Sequence, residues 1–75
     1  MTDERERPME ATVLAHVQTE RALQRERWSH DAEHSDDEWN DLIRSRLDLP
    51  GASRYVRLIQ TAALAVAAAE QESPT

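Results

Sequence analysis

Apolar side chains recur along the chain at three- and four-residue steps in three separate stretches, the period of a helix with one buried face. The first stretch predicts a helix from about Met9 to Trp28, in which Met9, Val13, Val17 and Trp28 share a stripe with Leu14 and Ala11 beside them. Its second half, Glu20 to Arg27, is much more polar and makes a poor core element. There the helix is expected to rest partly on charge pairs, Arg21 and Arg25 each lying near a Glu. The second stretch opens with Ser35-Asp36-Asp37-Glu38, a capping-box sequence in which the Ser hydroxyl accepts from the backbone N–H three residues on and the Glu carboxylate accepts in return. Trp39, Leu42, Ile43 and Leu47 follow on one face, and Pro50-Gly51 ends that helix. The third stretch predicts a helix from Ala52 or Ser53 to about Gln71, with Tyr55, Ile59, Ala62, Ala63, Val66 and Ala69 as one stripe and Leu58 beside it.

Nothing in the pattern reads as a strand or a repeat, so the predicted class is all-α: a long helix, a short helix and a long Ala-rich helix in a single domain spanning 9–72. The charged stretch 1–8 is expected to be a disordered lead-in and 73–75 a disordered tail. Alanine gives the third helix high propensity, and its small side chains let another helix approach closely. That helix is therefore expected to be the hub on which the first two pack, or on which a second chain packs.

Composition sharpens this picture. The chain has 75 residues and a 39% apolar fraction, but its alanines number eleven and it has no Phe. A chain this short buries only about 60% of the surface it exposes when unfolded, and without Cys it has no disulfide or zinc-thiolate staple. Self-association into a dimer is the expected remedy. The absence of Cys suits a reducing cytoplasm. The start is charged, and the longest apolar run, Ala62 to Ala69, is far shorter than the roughly 20 residues that span a bilayer. Neither secretion nor membrane insertion is expected. A net charge of −6 argues against nucleic-acid binding through a basic face.

Three groups of residues are candidates for chemistry. Glu38 and Asp41, one helical turn apart, are spaced to present two carboxylates to a magnesium ion, though acids in a first turn also complement the helix dipole. His30 and His34 would suit a metal only if the segment between them were helical. Arg44, Arg46, Arg54 and Arg57 flank the turn between the second and third helices, where guanidinium groups can grip phosphate or remain solvated. Trp28 and Trp39 continue apolar stripes and read as core anchors in preference to a stacking platform. With a single glycine, Gly51, no Gly-rich phosphate loop exists.

Three pieces in order resemble small phage and prophage proteins of the MazG-like, all-helical nucleotide pyrophosphohydrolase group. They are Glu20-Arg21-x-x-Gln24-x-x-Arg27-Trp28, then His34-Ser35-x-x-Glu38-Trp39-x-x-Leu42-Ile43, then the run from Tyr55 to Glu70. The resemblance covers roughly Val13 to Glu70. It implies an oligomeric helical protein whose full members bind magnesium through a helical Glu-Glu-x-x-Glu motif and a later Glu-x-x-Asp, splitting nucleoside triphosphates into monophosphate and pyrophosphate. This chain departs from that pattern. After Leu42-Ile43 it reads Arg44-Ser45-Arg46-Leu47-Asp48, and Arg57 stands where a Glu would precede Leu58-Ile59-Gln60.

Phosphoryl chemistry of this type needs metal ions held by carboxylates converging from at least two helices. The leading expectation is therefore a non-catalytic, phage-derived helical protein, with no cofactor, that binds a host or phage protein through a helix face or the acidic segment. Its packing and interaction residues would be Trp28, Trp39, Leu42, Ile43, Tyr55, Ile59 and Val66. The alternative is a minimal Mg2+-dependent pyrophosphohydrolase with Glu38 and Asp41 as ligands, Glu20 assisting, and Arg54 or Arg57 on phosphate. A third reading, mimicry of nucleic acid by the acidic segment, is weakened by the nine Arg interleaved with the acids.

Overall fold

The computed structural model describes residues 9–27 and 34–72, and among these every regular element is helical. Helix α1 spans Glu10–Arg27, α2 Asp36–Leu47 and α3 Arg54–Glu70. The all-α, three-helix architecture expected from the periodicity is the one the chain adopts. The lead-in 1–8, the tail 73–75, Trp28 and His30 lie outside the described residues.

Local chemistry sets the helix ends. The capping box at the start of α2 is complete: Glu38 N–H donates to Ser35 Oγ at 3.2 Å, and Ser35 N–H donates to the Glu38 carboxylate at 2.8 Å. Ser53 caps α3 in the same way, its Oγ accepting from Val56 N–H at 3.2 Å. Between α2 and α3 the chain reverses at Pro50-Gly51, where Gly51 takes a φ of 83°. An L side chain would be strained there although nothing lies within 4 Å of an added Cβ.

Helix α3 is the hub. Both α1 and α2 pack against it, and no α1 residue comes within 8 Å of an α2 residue, Cα to Cα, among the described residues. Trp39, near the start of α2, donates from its indole to Gln71 at the end of α3, while Arg57 near the start of α3 reaches the Leu47 carbonyl. These two helices therefore run antiparallel. His16 pairs with Tyr55 early in α3, and Arg21 and Arg25 with Glu70 at its end, so α1 and α3 run in the same sense. One apolar cluster joins Val17 to Ile59 and Ala63, with Val13 and Ala62 against it. The other joins Trp39 to Leu64 and Ala67, with Leu42, Ile43 and Ala68 packed on them.

The buried face of α3 differs from the expected stripe. Ile59, Ala63, Leu64 and Ala67 are buried, whereas Val66 is 42% and Tyr55 37% exposed, and Ala69 is exposed. At 3.6 residues per turn the sectors that meet α1 and α2 lie about a third of a turn apart, so the buried sector rotates towards the residues between them. In α1 the polar half contributes to the interior after all: Gln24 is 3% exposed, while Met9 and Leu14 remain 74% and 51% exposed.

Candidate functional site

The acidic start of α2 is shaped by its cap. One Glu38 oxygen is held by the Ser35 N–H, and this hydrogen bond, followed by that of the Ser35 hydroxyl, pulls the carboxyl below its usual pKa. Asp36, Asp37 and Asp41 are exposed around it, where first-turn acids complement the positive end of the helix dipole. The His34 ring stands edge-on to Trp39 at a centroid distance of 4.8 Å, so it packs on the anchor.

Glu20 sits elsewhere. It is half-buried on α1 and lines a pocket of about 250 Å³ with His16, Tyr55 and Gln60, the His16 Nδ1 lying 2.7 Å from the Tyr55 hydroxyl. Glu38 and Asp41 belong to α2, no Cα of which comes within 8 Å of a Cα of α1. Among the described residues no three His, Asp or Glu side chains converge as a metal ion requires. Within one chain, then, the described residues do not offer magnesium the ligand set that the MazG-like resemblance implies.

The two arginines proposed for phosphate differ in burial and bonding. Arg54 is exposed as the first residue of α3. Arg57 is half-buried and donates from Nη1 to the Leu47 carbonyl at 3.3 Å, while its Nε is buried with no partner. A guanidinium over the last carbonyls of α2 complements the negative end of that helix. The packing residues divide similarly: Trp39 and Ile59 are buried, Leu42 and Ile43 half-buried, and Tyr55 and Val66 exposed.

Two features have no local sequence signal. Arg21 donates to Glu70 from Nε at 3.1 Å and from Nη2 at 2.6 Å, and Arg25 donates to the other Glu70 oxygen at 3.1 Å. The pairs expected within α1 are thus made across to α3. The Arg21 hydrogen bonds, opposed by partial desolvation and aided by both positive charges, lower the Glu70 pKa. The second feature is a groove of about 350 Å³ between α1 and α3, walled by Leu14, Val17 and Val66 and closed at one end by these three charged residues. Its apolar rim is open, since Leu14 is 51% and Val66 42% exposed.

No helix of the described residues is long and apolar enough to cross a membrane. No family model, no curated protein and no solved structure matches the chain.

Proposed function

We propose that this chain is a non-catalytic helical interaction protein that engages a protein partner through the apolar face shared by α1 and α3, in a cytoplasmic setting that the absence of Cys supports. The observation that carries the reading is the distribution of apolar side chains. Among the described residues eight large ones are exposed against six buried apolar residues, and two of those six are alanines. Scattered exposed leucines are ordinary, but Leu14 and Val66 share one groove beside Val17. The face is favoured over the acidic segment because Glu38 is already committed to the α2 cap. On this reading the MazG-like resemblance is one of phage ancestry, in which packing positions persist and Arg44, Arg46 and Arg57 stand where ligands would.

The test is pyrophosphate release from a panel of ribo- and deoxyribonucleoside triphosphates with Mg2+ or Mn2+, beside Glu38→Gln and Asp41→Asn. Glutamine at position 38 keeps a capping-box partner while removing the charge a metal needs. The expected outcome is no release by the folded protein. Release that both substitutions abolish would replace this reading with the Mg2+-dependent pyrophosphohydrolase.

A further inference from the structure

We propose that the cavity between the middle of α1 and the first two turns of α3 binds an organic ammonium group carried on a compact apolar body. This cavity holds about 250 Å³ and is lined by His16 and Glu20 of α1 and by Tyr55, Val56, Ile59 and Gln60 of α3. It shares no residue with the Leu14–Val66 groove and does not depend on that groove being an association face. Pockets for drug-sized ligands run to roughly 300–1,000 Å³, and the smaller volume here suits a single small amine or one long side chain.

The wall offers acceptors that the fold does not use. Glu20 is half-buried, and its carboxylate makes no ion pair or hydrogen bond with another described residue. Gln60 is half-buried too, and its Oε1 is buried with no hydrogen-bond partner. The Tyr55 hydroxyl lies 2.7 Å from His16 Nδ1. When that hydroxyl donates to the ring nitrogen, the phenol oxygen keeps lone pairs for a further donor. Polar groups withdrawn from water are normally paired, so unpaired acceptors gathered on one cavity indicate a donor that the chain itself does not supply. The His16 and Tyr55 rings hold each other edge-on at a centroid distance of 5.7 Å, and an aromatic ring attracts a cation over its face. Val56 and Ile59 supply apolar contact for the body of the ligand.

Charge selects the class of ligand. Glu20 carries the only formal charge among the lining residues, so the cavity repels a phosphate or carboxylate and attracts a cation. Separate acceptors on Glu20, Tyr55 and Gln60 match the three rotatable donors of an ammonium, whereas a guanidinium presents a planar fork to a single carboxylate. An inorganic ion fits less well. Only His16 and Glu20 are common metal ligands in this wall, and among the described residues no three such groups converge.

Titration of the isotope-labelled full chain, followed by backbone amide shifts, tests this with three probes of one shape: phenethylammonium, neutral 2-phenylethanol and anionic 3-phenylpropionate. The expected result for the cation is saturable shifts centred on Glu20 and Tyr55, with a dissociation constant of about 1 mM or below, the range open to a ligand of this size. The other two probes are expected to bind at least about tenfold more weakly, the worth of one hydrogen bond to a charged group. Glu20→Gln should abolish that preference without loss of helix content. Glu26→Gln makes the same charge change on an α1 residue that lines neither cavity, and should leave the preference intact. Tyr55→Phe keeps the ring and is expected to weaken the cation about three- to tenfold. N-acetyl-lysine methylamide separates the sources of the ammonium: tighter binding than phenethylammonium assigns the cavity to a lysine side chain of a protein, and binding no tighter assigns it to a free amine. No saturable shift from either amine at about 20 mM, equal binding of the three probes, or an equal loss in Glu20→Gln and Glu26→Gln overturns the proposal.

Discussion

The two helices that flank α3 are held by different means. The α2–α3 contact is directional and closed. Trp39 is buried against Leu64, which has no exposed surface, the indole N–H donates to Gln71 at 2.7 Å, and both helix starts are capped. The α1–α3 contact is as extensive but more polar at its margins. Val17, Ile59 and Ala63 form its apolar part, and outside them lie the Arg21 and Arg25 pairs to Glu70, the His16–Tyr55 pair, and the buried Gln24 whose Oε1 has no partner. Surface ion pairs contribute only about 0–1 kcal/mol each, so they do not replace apolar burial. The difference teaches that the α2–α3 contact is closed within one chain, whereas α1 and the outer side of α3 leave large apolar side chains exposed.

Substitutions on the two sides break this comparison in order of size. Trp39→Ala is expected to cost about 3–5 kcal/mol and to lower the midpoint of urea unfolding accordingly. Val17→Ala, the largest apolar truncation α1 offers to the interface, should cost only about 1.5 kcal/mol, two methyl groups at roughly 0.8 kcal/mol each. Equal losses at the two sites would erase the distinction. Gln24→Met goes the other way: it removes a buried amide oxygen that lacks a hydrogen bond, and should stabilise the protein by about 1–2 kcal/mol in the same titration. Loss of stability there would mean that Gln24 holds the α1 contact.

Smaller effects sharpen the picture at the helix ends and in acid. Ser35→Ala removes the acceptor of the α2 cap and is expected to cost about 1 kcal/mol, read from the thermal midpoint. Glu70→Gln should cost less than 1 kcal/mol at neutral pH, because the carboxylate is exposed. Its signature is in the pH profile. Arg21 holds the folded Glu70 carboxyl below its usual pKa, so in acid the unfolded chain binds more protons and stability rises with pH. That contribution is complete above about pH 4.3 and is lost as the pH falls through the folded value. Glu38, lowered by its Ser35 hydrogen bonds, adds to the same limb. The glutamine variant should therefore show a shallower acid limb than the wild type.

Much of the backbone was legible in the sequence because its signals are local. Ser35 to Glu38, Ser53 and the Pro50-Gly51 reversal sit within four residues of the groups they bond or turn, and the structure uses all of them. The face of α3 was not legible. From Ala62 to Ala69 every position is apolar, so periodicity cannot choose between a sector centred on Val66 and one centred on Ala63 and Leu64, and packing from two sides decided it. The candidate site divides the same way. The commitment of Glu38 could be read from its distance to Ser35, but Arg21 and Glu70 are 49 residues apart and only the helix directions bring them together. Arg57 looked like a phosphate ligand because nothing local shows that its guanidinium lies over the Leu47 carbonyl.

The central proposal is that the apolar surface α1 and α3 leave exposed is an association face, whereas the α2–α3 contact is closed within one chain. Amide hydrogen exchange at a few micromolar and at several hundred micromolar tests it most directly. The expected result is that protection of α1 and of the residues from Leu58 to Ala69 rises with concentration, while the amides around Trp39 and Leu42 change least. Protection identical at both concentrations along the whole chain would contradict the account.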